Sequence, residues 1–119
     1  MDDRKLRQSV ELLDAARAAF DEDPSDALRA AALSKAFEVT FEYAWKSFKR
    51  HADEAGLEVY SPRDCIKAAA RLGIIDSPEQ WNEFLNARNL SVHDYVGMDD
   101  ERFATLVNEF AEAARRLLE

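Results

Sequence analysis

Leu33-Ser34-Lys35-Ala36-Phe37-Glu38-Val39-Thr40-Phe41-Glu42-Tyr43-Ala44-Trp45-Lys46-Ser47-Phe48 decides the fold. Leu33, Phe37, Phe41, Trp45 and Phe48 recur at helical spacing and form an aromatic stripe, which Val39 and Tyr43 widen. Glu38, Glu42, Lys46 and Arg50 lie four apart on another face. Glu42 ahead of Lys46 is the favourable order for an ion pair, worth about 0.2–0.5 kcal/mol. The pattern predicts one long helix from about Ala27 to Ala55. Gly56 stops it, because glycine adopts positive φ at little cost.

The flanks repeat the same period. Leu6, Val10, Leu13 and Phe20 predict a helix from about Arg4 to Glu22, ended by Asp23-Pro24-Ser25-Asp26. On the other side, Ser61-Pro62-Arg63-Asp64 is a helix start, with Ser61 as cap and Pro62 at the first helical position. The short helix that follows runs to Gly73. Ser77 with Gln80 three residues on has the pattern of a capping box. It opens a helix in which Trp81, Phe84 and Leu85 face the core, and which carries Arg88 toward His93 before Gly97 breaks it. Phe103, Leu106, Val107, Phe110 and Leu117 give a last helix from about Asp100 to Leu118. No stretch alternates as a strand does. The expectation is all-α: an antiparallel up-and-down four-helix bundle with one extra short helix, forming a single domain over residues 1–119.

Composition agrees with that class. The 119 residues are 47% apolar and 10% aromatic, enough for a packed core without metal or disulfide. Cys65 is the one cysteine, so an internal disulfide is excluded and a reducing, cytoplasmic setting is expected. No apolar run is long enough to cross a bilayer, and the charged first residues do not resemble a signal peptide. The formal net charge of −8 repels polyanions at long range.

No Gly-rich phosphate loop, paired-Cys spacing or His-Glu-x-x-His is present, so no metal or cofactor is expected. The polar groups left for chemistry are Arg88, Asn89, His93 and Tyr95. Arginine clamps a phosphate through paired hydrogen bonds. Histidine moves protons near neutral pH. Together they hold what metal-free RNA cleavage needs. On a straight helix, however, Arg88 and His93 stand about 140° apart. They converge only if the helix loosens before His93, or if two copies meet across a two-fold axis. The same segment also works as a plain C-terminal cap, with cations at the negative end of the helix dipole. Arg63, Lys67 and Arg71, four apart, make a basic edge on an acidic chain. They are either solvated surface or a local field that attracts phosphate.

Arg88, four residues, His93, one residue, Tyr95 resembles the motif of the HEPN superfamily of small helical-bundle proteins. Phe37-Glu38-Val39-Thr40-Phe41-Glu42-Tyr43-Ala44-Trp45-Lys46 resembles the second-helix signature of the HEPN branch described as nucleotidyltransferase substrate-binding proteins. Ser61-Pro62-Arg63-Asp64, Gly73-Ile74-Ile75, and Trp81 seven residues before Arg88-Asn89-Leu90 fit the same pattern. The likeness spans nearly the whole chain. It implies a homodimer with Arg88 and His93 catalytic at a shared cleft, and Asn89 supporting them. It implies metal-independent ribonuclease activity on RNA, and a minimal nucleotidyltransferase as partner in a toxin–antitoxin-like pair. Tyr95 would be the residue to which that partner transfers AMP. The alternative within the branch is a non-catalytic subunit that holds substrate for the nucleotidyltransferase.

Overall fold

The computed structural model describes residues 3–93 and 100–119, with side chains for 3–90 and 101–119. Five helices follow in order: α1 (Arg4–Glu22), α2 (Ala27–Glu54), α3 (Pro62–Arg71), α4 (Pro78–His93) and α5 (Asp100–Arg116). Among the described residues there is no strand, and no helix is long and apolar enough to cross a membrane.

The boundaries follow local chemistry. Asp26 caps α2 by accepting from the Leu28 amide at 2.9 Å. Ser61 and Asp64 cap α3 reciprocally, side chain to backbone in both directions. The Ser77 hydroxyl accepts from the Gln80 amide at 3.2 Å at the start of α4. Gly56 follows α2 with φ +76°, the left-handed conformation that ends a helix cheaply only in glycine.

Paired contacts fix the directions. Thr40, wholly buried in α2, shares its hydroxyl proton between the carbonyls of Ala36 at 2.8 Å and Ser9 of α1 at 3.1 Å. The Arg50 guanidinium donates to Asp3 at 2.7 Å, and that of Arg29 to the Ala19 carbonyl at 2.7 Å. High numbers in α2 therefore meet low numbers in α1, so the two run antiparallel. Trp81 packs on Phe48, with ring centroids 5.0 Å apart, while Arg88 reaches Glu42, so α4 is antiparallel to α2 as well. Asp14 pairs with Arg115, and Arg17 donates to Asn108 at 2.9 Å, setting α5 antiparallel to α1. The result is an up-and-down bundle of α1, α2, α4 and α5, with α3 against α2 and α4.

Phe110 sits at the centre. Its ring meets Phe37 at 5.0 Å and Phe84 at 5.2 Å, both edge to face, the arrangement the ring quadrupoles favour. Phe41 and Trp81 complete the cluster. Small residues let the helices approach: Ala36, Ala44 and Ala52 of α2, and Ala111 and Ala114 of α5, are all buried.

Candidate functional site

Arg88 stands four residues after Phe84 and seven after Trp81, both buried, so it lies on the core-facing line of α4. A cation there needs a partner, and α2 supplies one. The Arg88 Nη2 lies 3.4 Å from Glu42 Oε2, and Nη1 lies 3.2 Å from Asn89 Oδ1. Glu42 is shared further. Its Oε2 accepts from the Trp45 indole N–H at 3.0 Å, and its Oε1 faces the Lys46 ammonium at 3.4 Å. The Arg88 and Glu42 side chains are 32% and 34% exposed, so the cluster sits in the wall of the bundle and opens to water.

The expected Glu42–Lys46 pair is therefore present, but it is half of a larger arrangement. Trp45 differs from the expectation of plain core packing. It is only half-buried, lies at the edge of the wide apolar stripe, and uses its polar edge on Glu42. Sequence spacing places Glu42 beside Lys46 and Trp45 within one helix. It does not carry the register between α2 and α4 that adds Arg88.

Asn89 is exposed and forms one line along α4 with Asn82 and Asn86, within about 60° of helix surface. None of the three is charged. The Oδ1 of Asn82 is buried and accepts no hydrogen bond within the chain. The register position of His93 falls on the same line. The backbone of α4 continues as a helix through His93, so no loosening before His93 brings it toward Arg88. The two positions stand about 140° apart around the axis and about 7.5 Å apart along it. The side chain of His93, all of Tyr95, and Gly97 lie outside the described residues.

Arg63, Lys67 and Arg71 are exposed along α3. On the opposite side of that helix Cys65 is fully buried. Burial pushes its thiol pKa up, Lys49 opposes the shift, and Asp64 and Asp53 add to it. Among the described residues no group of three His, Cys, Asp or Glu side chains is placed to hold a metal ion.

Residues 3–119 match the family model described as "Nucleotidyltransferase substrate binding protein like". The chain belongs to this family. The HEPN affiliation read from the second helix and the Arg88–Tyr95 segment stands with it. A Haemophilus influenzae protein named "Probable ribonuclease HepT" is 31% identical over 84 residues, covering 64% of this chain and 57% of that protein. The chain thus spans little more than half the length of that relative. A crystal structure of a Thermus thermophilus protein superimposes with a TM-score of 0.71 at 24% identity, over 89% of this chain and 95% of that one. That likeness shows the fold of this nucleotidyltransferase substrate-binding family member and nothing of its chemistry.

Proposed function

We propose that the chain is the partner of a minimal nucleotidyltransferase in a toxin–antitoxin-like pair. In this reading, two copies form a metal-independent RNA-cleaving site from Arg88 of one and His93 of the other. One observation carries it. Arg88 is held part-exposed at the α2–α4 seam, while α4 stays helical through His93, on the far side of the same helix. At helical register the two positions stand about 140° apart in one chain, and a second copy across a two-fold axis offers a way to unite them. The family description and the name of the Haemophilus relative support the partner and the activity.

In the reaction, the 2′-hydroxyl oxygen attacks the adjacent phosphorus and the bond to the 5′-oxygen breaks. This leaves a 2′,3′-cyclic phosphate and a 5′-hydroxyl. The imidazole of His93 takes the 2′-hydroxyl proton or protonates the leaving oxygen. Arg88 stabilises the extra negative charge on phosphorus, with Asn89 orienting its guanidinium. Arg63, Lys67 and Arg71 offset the acidic net charge locally for an approaching strand. Tyr95, two residues past His93, is the acceptor for AMP: with the partner, its phenol oxygen attacks the α-phosphorus of ATP, pyrophosphate leaves and the phenolic proton is lost to water, a modification that silences the site.

Purified protein incubated with cellular RNA in chelator is the test. Cleavage is expected, falling about 100-fold or more in Arg88→Ala and in His93→Ala. Equal activity in His93→Ala removes it from the mechanism. The second reading, a non-catalytic subunit that presents substrate to the nucleotidyltransferase, is favoured by the net charge of −8. It predicts nucleotidyl transfer in the presence of partner and ATP without any RNA cleavage by the chain alone.

A further inference from the structure

Arg88 is the group that the proposed reaction needs for phosphate, and in the structure it rests on a carboxylate. Glu42 has three neighbours that carry positive charge or an N–H: Arg88 at 3.4 Å, Lys46 at 3.4 Å and the Trp45 indole at 3.0 Å. The Glu42–Arg88 contact is long, and both side chains are about one-third exposed. Such a long, part-exposed pair is weak. A phosphate that accepts two hydrogen bonds from one guanidinium makes the stronger contact.

We infer that Glu42 is a built-in counter-anion for Arg88, displaced when a phosphodiester binds. Lys46 and Trp45 make the exchange possible. After Arg88 turns to the phosphate, the Glu42 carboxylate keeps an ammonium and an indole N–H, so no charge in the bundle wall is left unpaired. The guanidinium is likewise never without an anion. The device sets a threshold: ligands offering one weak carboxylate contact do not displace Glu42, while phosphodiesters do. Trp45 reports the exchange directly, because its N–H stays on the carboxylate whose charge partner changes. The inference rests on the reading that Arg88 takes phosphate.

The test uses the full chain and a short 2′-O-methyl RNA, which binds as a phosphodiester and lacks the 2′-hydroxyl needed for cleavage. Affinity is measured by titration in wild type, Glu42→Gln and Arg88→Ala. The indole N–H signals are followed by NMR, with Trp45→Phe for assignment, and acetate serves as the control anion. Glu42→Gln keeps the size of the side chain and removes its charge. Binding is expected to tighten roughly 3- to 10-fold in Glu42→Gln, with the Trp45 signal moving in wild type on adding RNA but not acetate. Binding abolished by Arg88→Ala yet unchanged or weaker in Glu42→Gln overturns the counter-anion role alone. Binding absent from wild type and Glu42→Gln, or indifferent to Arg88→Ala, overturns the phosphate reading of Arg88 and the counter-anion with it.

Discussion

Cys65 is wholly buried on α3, and burial holds its thiol pKa above the ordinary range. A group whose pKa is raised by folding stabilises the protein fully below its unfolded value, about 8.5 for a thiol. That contribution is lost as pH rises through the folded value. Wild type should therefore lose stability above about pH 8.5 more steeply than Cys65→Ala, in urea unfolding followed across that range. Parallel slopes would show that the thiol titrates alike in both states. Other single residues were less legible. Glu42 reads in sequence as the partner of Lys46, four places on, because spacing within one helix follows from 3.6 residues per turn. Its contact with Arg88 depends on how α2 slides against α4, and no spacing in the sequence encodes that. Trp45 misleads for a related reason: periodicity marks a residue as belonging to the apolar stripe without saying whether it lies at the stripe's centre or edge.

The helices themselves were plain from the chain. Arg4 and Glu22 bound α1 as the apolar period and the Pro24 turn indicate, and α2 begins at Ala27, next to its Asp26 cap. Proline and glycine act through sterics that no tertiary contact cancels, which is why these ends are readable. Caps are readable less sharply. Ser77 has the capping-box spacing and accepts from the Gln80 amide, while Ser61 with Asp64 forms a reciprocal box whose carboxylate also accepts from the Tyr60 amide at 3.2 Å. Ser61→Ala removes the acceptor for the Asp64 amide, held at 3.1 Å, and is expected to cost about 0.5–2 kcal/mol. Chemical denaturation checks this, with Ser61→Asp expected to recover most of the loss. An Ala variant as stable as wild type would mean that Pro62 and packing alone start α3.

For the molecule as a whole, the proposed composite site has a stricter test than loss of activity. Arg88→Ala and His93→Ala proteins are each expected to be inactive. When they are mixed and allowed to exchange subunits, half the dimers carry one of each. In such a dimer one site keeps both groups and the other has neither, so about one-quarter of wild-type activity should return. No recovery after demonstrated exchange would place both groups of each site in a single chain. The all-α bundle could be read from the sequence because every helix announces its own apolar side. The proposed site could be named but not assembled from the sequence, since Arg88 and the register position of His93 stand about 140° apart on α4. The interior placement of Cys65 has a practical use here. It leaves the exterior free of accessible sulfhydryls among the described residues, so the wild-type chain already serves as the background for single-site labelling. A nitroxide attached at Asn86→Cys would read one spin–spin distance per pair of copies, reporting how far apart their α4 helices sit.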